Sequence, residues 1–378
     1  MSIRLGTHQR VAAHRLRAFA RRVLETVGVP GAEAALFADC LVDADCRGVH
    51  SHGLMRLPVY VARIQGGAMA AKTVLRTVSE SSGTLLLDGG NGPGHVACAW
   101  AMDLAVARAR ATGVAVVAIN NSNHNGTQAA YAMRALPADM IGLCATLGGN
   151  VMAPWGGVTP LLGNNPFGLA APTAEEPPFV LDMACSVAAR GWIMLAEKRG
   201  EPIPAGWAID AQGSPTQDPA TVLAGTVLSI GGHKGYGLSM LVAILTGVLT
   251  GAAVGAAGFL GRDFKSATDR PQDCGHLLAA LDVARFMPAP AFKSRLDRFI
   301  RDMRASDRAP GVERIYVPGE IEHAHAVEAA RLGVPVEAAV LKDLEALGRR
   351  LGVEWQSDAE AMGRMGENSQ AVRADGPQ

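Results

Sequence analysis

The chain has 378 residues, of which 49% are hydrophobic and 19% charged. This composition can fill more than one buried core and excludes a disordered chain. The 35 basic and 35 acidic residues give a formal net charge of zero, so neither a nucleic acid nor a membrane surface is expected as a partner. Six scattered cysteines form no Cys-x-x-Cys pair, and the N-terminus does not resemble a secretory signal. Both features favour the cytoplasm.

Helices are predicted in the first part of the chain and strands in the middle. Apolar residues recur at helical spacing in three segments, at 8–28, 32–45 and 53–64. Runs of apolar and β-branched residues predict buried strands at 84–88, 113–119, 140–146 and 179–184. An alanine-rich helix is predicted at 95–111, between the first two strands.

The second half of the chain predicts a return to helices. A polar, Pro-rich segment at 196–220 is expected to lie on the surface, and helices are expected at 291–303 and 324–351. Residues 356–378 have no periodicity and are predicted to form a flexible tail. We therefore expect an α/β protein in which the two chain ends, 1–75 and 310–355, form one helical lobe. Residues 76–309 would form a central sheet domain.

The segment between Lys234 and Arg262 carries no charge and is long enough to cross a bilayer as a helix. About a quarter of it is glycine, and no second apolar segment of that length accompanies it. A buried helix followed by a glycine-rich loop is therefore favoured over a membrane span.

The glycine run at 89–94 follows a predicted strand and precedes a helix, as a dinucleotide-binding loop would. That loop needs an acidic residue at the end of the next strand, where this chain has Asn120 and Asn121. Pro93 also lacks the N–H group that should face a phosphate. An ordinary strand-to-helix turn is therefore favoured over a phosphate loop.

Three polar segments could carry chemistry. In the segment 45–56, His52 could move protons near neutral pH, and Arg56 could hold a carboxylate in a bidentate fork. His50 and His52 alternate, but no third ligand lies nearby, so no metal is expected. Segment 120–126 places His124 among small polar residues at a strand end, and segment 231–237 carries Lys234. A capped turn and solvated loops are the structural alternatives.

Taken together, these segments resemble the malate/L-lactate dehydrogenase family of nicotinamide-dependent oxidoreductases. The matching motifs are ADCRGVHSHGLMR at 44–56, NSNHNG at 121–126, APWGG at 153–157, NP at 165–166, DMA at 182–184, ARG at 189–191, HKGYGL at 233–238 and PGE at 318–320. The resemblance implies a non-Rossmann fold of the L-sulfolactate dehydrogenase type, whose sheet domain binds NAD or NADP. It also implies a homodimer.

The resemblance implies a role for each matching residue. Ser51 and His52 would form a proton-relay pair, and His124 would be the general base. Substrate contacts would come from Arg56, Asn164, Arg190 and Gly191. Cofactor contacts would come from His124, Asn125, Gly126, Thr127, Gln128, Gly148, Asp182, Met183, Ala184, Lys234, Pro318, Gly319 and Glu320.

The expected reaction is hydride transfer between the nicotinamide and a small 2-hydroxy or 2-keto acid, such as a malate-, lactate- or ureidoglycolate-like acid. The alternative is reduction of a cyclic 2-imino acid, such as a piperideine- or pyrroline-2-carboxylate. The acidic proton donor of imine-reducing relatives has no clear counterpart, because Ala196 and Glu197 occupy that region. Asn164 stands where many relatives have Thr. A binding protein without catalytic activity is the remaining rival.

Overall fold

The computed structural model describes residues 8–264 and 266–355. Its α-helices are α1 (Ala13–Thr26), α2 (Gly31–Cys46), α3 (Leu57–Gln65), α4 (Gly94–Thr112), α5 (Ala129–Ala132), α6 (Arg190–Arg199), α7 (Pro219–Ala224), α8 (His233–Ala243), α9 (Ala289–Ala305), α10 (Glu320–Leu332) and α11 (Ala338–Leu351). Its strands are β1 (His8–Val11), β2 (Arg76–Glu80), β3 (Thr84–Asp88), β4 (Val114–Ser122), β5 (Met140–Thr146), β6 (Asn150–Met152), β7 (Leu162–Gly163), β8 (Phe167–Ala171), β9 (Phe179–Met183), β10 (Ala208–Ile209), β11 (Pro215–Thr216), β12 (Thr226–Val227), β13 (Cys274–Asp282) and β14 (Val334–Glu337).

A seven-stranded mixed sheet forms the centre, in the order β2-β3-β4-β13-β5-β8-β9. Only β3 and β4 run parallel, and the other neighbours are antiparallel. The four predicted strands are confirmed as β3, β4, β5 and β9. This topology differs from the parallel sheet of a Rossmann domain, as expected. The central strand β13 was missed, because its apolar run, LLAAL, consists of Leu and Ala without β-branched residues and is as compatible with a buried helix as with a strand.

The predicted alanine-rich helix is confirmed as α4, which packs on the sheet through buried small residues. The glycine run before it is a tight turn, in which the Gly92 N–H donates to the Gly89 carbonyl. A Cβ on Gly94 would lie 1.9 Å from the carbonyl oxygen of Asn123. The glycine therefore lets the start of α4 approach the 123–124 loop, and the structure agrees with a turn rather than a phosphate loop.

The two ends of the described chain share one hydrophobic core. Side chains of α1, α2 and α3 pack there with those of α10, β14 and α11, and β1 pairs with β14. Two helix predictions are confirmed in part and wrong in their extent, because residues 8–11 form β1 ahead of α1 and the predicted helix at 324–351 is divided by β14 into α10 and α11. Both strands depend on this pairing of distant segments. The boundaries at 75/76 and 309/310 stay predictions, and the predicted tail lies outside the described residues.

The polar segment at 196–220 is more ordered than predicted. It contributes β10 and β11 to a second sheet, in the order β11-β10-β12-β6-β7, and the last residues belong to α7. Ile203 and Ala208 are buried in a small core beneath it. The segment is thus a compact extension of the sheet domain.

Helix α8 forms the first part of the uncharged segment, as predicted, and continues into a π-helical turn at Ile244–Val248. The prediction that it is buried is only half right. One side is buried, but the other exposes Leu238, Leu241, Ile244, Val248 and Leu249, which are 40–62% accessible. In the two described ranges, no helix has both the length and the hydropathy that a membrane crossing needs.

Candidate active site

Two connected cavities lie where the chain-end helices meet the sheet. The first, called the long cleft here, has a volume of about 670 Å³. The second, called the inner cavity, has a volume of about 400 Å³ and is lined by His124. Both are lined by Ser51, His52, Arg56, Asn164, Ala189 and Gly191. Predicted catalytic and substrate residues therefore meet where the two cavities join.

A carboxylate shapes the turn that carries the first catalytic candidates. Asp45 is buried, accepts the Leu54 N–H at 2.8 Å and contacts His50 Nδ1 at 2.9 Å. A Cβ on Gly53 would overlap this carboxyl group, so glycine is required for the tight packing. His50 is therefore engaged by Asp45. Among the described residues, no three His, Cys, Asp or Glu side chains are grouped to hold a metal.

Arg56 is enclosed by protein but open to the cavities. Its Nε donates to the Ser51 carbonyl at 2.7 Å, while no carboxylate in the described part of the chain pairs with the guanidinium. Desolvation lowers the pKa of Arg56 from its ordinary value. An enclosed cation without a counter-ion is costly unless an anion joins it, so this side chain is suited to bind an anionic ligand.

His124 follows β4 and is fixed by contacts from three segments. Its Nδ1 lies 2.7 Å from the Tyr60 hydroxyl and 3.2 Å from the Gly126 nitrogen. Its main-chain N–H donates to Oε1 of Gln272 at 2.9 Å. The imidazole also stacks on His52, with 5.6 Å between ring centroids. His124 and His52 therefore face the same small volume.

Both imidazoles are held neutral at pH 7. Desolvation, reinforced by the charge of Arg56, lowers the pKa of His52 to about 3. Desolvation is also the main cause that lowers the pKa of His124 well below 6.5, with contributions from His52 and Arg56. Ser51 Oγ lies 2.9 Å from Nδ1 of His52. The predicted relay pair is thus in hydrogen-bonding contact.

Several predicted cofactor residues line the long cleft: Gly126, Thr127, Asp182, Met183, Ala184, Pro318 and Gly319. The Asp182 carboxylate accepts the Ala129 N–H at 2.8 Å and keeps part of its surface open to the cleft. The cleft walls displace water around it, and this desolvation raises the pKa of Asp182 to about 6. Asp182 is therefore one of the carboxylates open to the cleft, together with Glu322 and Glu337.

Asn125 and Gln128 do not line either cavity. They are buried and bond to each other, with Gln128 Nε2 also donating to the Gly126 carbonyl. Their side chains therefore brace the His124 loop from behind, and a direct side-chain contact with a cofactor does not follow from this arrangement.

Three other predicted cofactor residues also lie away from the cavity walls. The Gly148 N–H donates to Oδ1 of Asn165. Glu320 pairs with Arg304 and accepts the Val317 N–H, so it holds the 316–320 loop rather than facing the cleft. Lys234 is exposed in the first turn of α8. The side chain of Arg190 lies outside the described part of the chain.

Sequence reasoning missed three residues around His124, namely Tyr60, Phe264 and Gln272. Tyr60 in α3 follows Arg56, the residue just before this helix, by four positions and thus lies about one helical turn from it, a spacing that could have identified it. Phe264 lies 5.2 Å from the His124 ring. It and Gln272 come from a distant segment, and no local pattern in the sequence marks them.

The long cleft can accept a dinucleotide. Its volume lies in the range of ligand sites, and Gly48, Gly126, Gly191 and Gly319 expose main chain along its walls. At Gly319 a Cβ would lie within 2.9 Å of Val180. This glycine keeps the 316–320 loop against β9 and leaves the cleft open. The wall thus combines close main-chain approach with a carboxylate suited to a ribose hydroxyl.

The chain is similar to proteins of one family along most of its length. A sequence model described as malate/L-lactate dehydrogenase matches residues 11–345. Malate dehydrogenase of Pyrococcus horikoshii is 37% identical over 353 residues, covering 91% of this chain and 96% of that protein. A solved structure of malate dehydrogenase from Pyrococcus horikoshii OT3 matches with a TM-score of 0.84 at 35% identity. The match covers 93% of this chain and 99% of that structure's chain.

Other relatives differ in substrate. A ureidoglycolate dehydrogenase (NAD(+)) of Escherichia coli O157:H7 is 32% identical, covering 82% of this chain and 87% of that protein. A Delta(1)-pyrroline-2-carboxylate reductase of Ancylobacter novellus is 33% identical, covering 90% of this chain and 98% of that protein. The names of relatives specify both NAD(+) and NADP(+). The chain therefore belongs to the malate/L-lactate dehydrogenase family, whose members are NAD(P)-dependent oxidoreductases of hydroxy acids and imino acids.

Proposed function

We propose that this enzyme transfers hydride between NAD(P) and a small 2-hydroxy or 2-keto acid. The observation that carries the proposal is the guanidinium of Arg56, which has no carboxylate partner in the described chain and shares the inner cavity with His124. A substrate carboxylate supplies the missing counter-charge. Its binding also fixes the adjacent carbon, which is the reacting one.

Arg56 orients the substrate. Its Nε is occupied by the Ser51 carbonyl, which leaves the terminal nitrogens for a bidentate carboxylate contact. Asn164 and Gly191 line the same junction, and we assign them to the substrate side together with Arg190. Orientation of this kind contributes strongly to the rate, because the reacting carbon no longer has to be placed by chance.

His124 handles the proton on the substrate oxygen. Its pKa lies well below 6.5, so at neutral pH a neutral imidazole meets the substrate, with the neutral Ser51–His52 pair beside it. When NAD(P) is bound it supplies or accepts the hydride. The cleft-lining residues Gly126, Thr127, Asp182, Met183, Ala184, Pro318 and Gly319 would hold it.

The test is a screen of NAD(P)H oxidation by purified protein over 2-keto acids with one or two acidic groups and over cyclic 2-imino acids. We expect turnover of at least one 2-keto acid and its loss in Arg56→Leu. A matched control is Arg295→Leu, on α9 outside both cavities. Absence of turnover with every compound and both cofactors would refute the proposal.

Reduction of cyclic 2-imino acids is the second candidate. It is supported by the similarity to the pyrroline-2-carboxylate reductase and by the fact that such substrates also carry a single carboxylate for Arg56. The screen separates the two candidates. Turnover of cyclic imino acids at rates well above those of all keto acids would favour the second.

We infer that two copies of this chain associate through the exposed side of α8. Five large apolar side chains share this side, from Leu238 to Leu249, and no charged residue lies between Lys234 and Arg262. Contiguous exposed apolar surface of this kind marks an interface. Lys234 lies in the first turn of the same helix, so association would place it near the partner.

Light scattering after size exclusion tests this inference. We expect a dimer for the wild type and a monomer for Leu241→Glu combined with Val248→Glu. Phe299→Glu, which changes an equally exposed apolar residue on α9, is the control and should remain dimeric. A monomeric wild type would refute the inference.

We also infer that the protein works in a reducing compartment, as in the cytoplasm. All six cysteines are free, and four of them are buried. Free thiols of this number fit a reducing environment better than an oxidising one. Fractionation of cells that express the chain would test this directly.

A further inference from the structure

Tyr60 is the one side chain whose polar atom contacts the ring of His124 within hydrogen-bonding distance in the described part of the chain. Its hydroxyl lies 2.7 Å from His124 Nδ1. Tyr60 is 1% exposed, and its phenol ring packs against Phe37, His95 and Phe264. Tyr60 belongs to helix α3, which begins directly after Arg56. Tyr60 therefore joins the substrate-binding turn to the His124 loop.

The second contact at Nδ1 constrains the location of the proton. The Gly126 N–H points at Nδ1 from 3.2 Å, and a main-chain N–H can only donate. In the resting, neutral imidazole, Nδ1 is therefore the acceptor and Nε2 carries the hydrogen. Nε2 is then the ring nitrogen left for the substrate.

This resting tautomer cannot act as a base at Nε2. To take a proton from a substrate hydroxyl, His124 must first change tautomer, taking up a proton from water at Nδ1 and releasing the Nε2 proton to water in the inner cavity. After the transfer from the substrate it is an imidazolium with hydrogens on both nitrogens. In both of these states the Nδ1–H needs an acceptor. Gly126 cannot provide one, whereas the Tyr60 oxygen can, because a phenol both donates and accepts.

We propose that Tyr60 is a positioning residue that accepts the Nδ1 hydrogen of His124 in the reacting state and donates to Nδ1 in the resting state. The proposal rests on the assignment of proton transfer to His124. The hydroxyl itself stays protonated, since burial raises the pKa of Tyr60 above its ordinary value. The proton that leaves the substrate oxygen ends on Nε2, and Tyr60 gains no net charge.

A packing role is the competing explanation, and the chain offers a matched control for it. Tyr131 is also fully buried, and its hydroxyl donates to the main-chain carbonyl of Asn125, the residue after His124. Tyr60→Phe and Tyr131→Phe each remove one buried hydroxyl that contacts the same loop. Only the first removes a partner of the imidazole.

In Tyr60→Phe we expect kcat to fall on the order of 10- to 100-fold, by analogy with the partners that orient metal-ligating histidines. The KM of the acid and the affinity for NAD(P)H should stay near wild type, because Arg56 and the long cleft are unchanged. Tyr131→Phe should keep kcat within about two- to three-fold, the effect of a distant buried hydrogen bond. Equal losses in the two variants would overturn the proposal.

The pH dependence gives a second readout. The titratable and charged groups that face His124 are His52, Arg56, Tyr60, His95 and His276. Without the Tyr60 oxygen the imidazolium loses its acceptor at Nδ1, so the pKa of His124 should fall further. The acid limb of the oxidation profile should move to lower pH in Tyr60→Phe and remain in place in Tyr131→Phe.

Nitrogen-15 NMR of histidine-labelled protein tests the same point without turnover. His124→Gln assigns the signal. We expect a hydrogen on Nε2 in the wild type at pH 7, and a lower protonation midpoint in Tyr60→Phe. A wild-type hydrogen on Nδ1, or an unchanged midpoint in the variant, would overturn the proposal. If no substrate is turned over, this measurement still decides the role of Tyr60 while the proposed function falls.

Discussion

The junction of the two cavities and the 316–320 loop of the cleft wall both depend on charged groups, but these are partnered differently. At the junction, Arg56 has no carboxylate in the described chain, and His52 and His124 are held neutral by desolvation. At the loop, Glu320 pairs with Arg304 and Arg314 and accepts the Val317 N–H. A charged or polar side chain without a protein partner, such as Arg56, marks the place where a ligand is expected. A charged side chain that is paired within the protein, such as Glu320, holds the main chain in position.

Replacing His124 should have the largest effect of any change at the junction. In His124→Gln we expect kcat to fall by about 10²- to 10⁴-fold, the usual contribution of general acid–base catalysis. Stopped-flow binding of NAD(P)H should change little, because other segments line the long cleft. The exposed His14 on α1 provides the control, His14→Gln. A variant that retains wild-type kcat would remove His124 from the reaction.

Arg56→Lys tests the unpartnered cation itself. A lysine keeps the charge but loses the bidentate fork. The lost interaction free energy of about 2–3 kcal/mol should lower kcat/KM for the acid roughly 30- to 150-fold. The loss should appear in the KM of the acid. The methyl ester of the same substrate should react equally poorly with both enzymes. If the acid loses nothing, the carboxylate is bound elsewhere.

The pH dependence of stability should follow from the neutral histidines. The pKa of His52 and that of His95 are each lowered to about 3, and that of His124 is also lowered. Below pH 6.5 the unfolded chain binds protons that the folded chain does not, so stability should fall as pH decreases. Each histidine lowers the free energy of unfolding by up to about 1.4 kcal/mol for each unit by which the pH decreases.

Melting temperatures between pH 7.5 and 5.5 measure this slope. His95→Phe removes one of the three histidines. It should keep the stacking on Phe37, and neither ring nitrogen of His95 has a hydrogen-bond partner in the described structure. The variant should therefore reduce the slope by somewhat more than a third, because Asp182, with its pKa raised to about 6, takes up a proton in the folded protein over this range and offsets part of the histidine contribution. A melting temperature that does not change over this range would contradict the assignment of neutral imidazoles.

Glu320→Gln should have the smallest effect. The amide keeps an acceptor for the Val317 N–H but loses the charge that pairs with Arg304 and Arg314. Ion pairs of this kind stabilise a local conformation by about 1 kcal/mol or less. The KM of NAD(P)H should therefore rise roughly five-fold or less as the 316–320 loop loosens, with kcat unchanged. Glu175→Gln, on an exposed carboxylate paired with Arg301, is the control. A large loss of kcat would mean that Glu320 takes part in the reaction.

Much of the junction was predictable because its residues are local in the sequence. Ser51, His52 and Arg56 are close along the chain, and the tight turns between them follow from Gly53 and the buried Asp45. His124 was identifiable from its position at a strand end among small polar residues. Glu320 and Asn125 matched family motifs equally well, but their side chains are engaged in bracing the main chain. A motif identifies a residue type and does not fix the direction in which its side chain points.

The sequence by itself determined the strands whose apolar runs are continuous, the alanine-rich helix α4, and the residue types gathered around the cavities. These depend on local periodicity and on short-range packing. The tertiary structure decided the rest: the pairing of β1 with β14, the central place of β13, the exposed side of α8, and the contact of Tyr60 with His124. Each depends on segments far apart in the chain, and pairing energy between distant segments leaves no periodic signal in either of them.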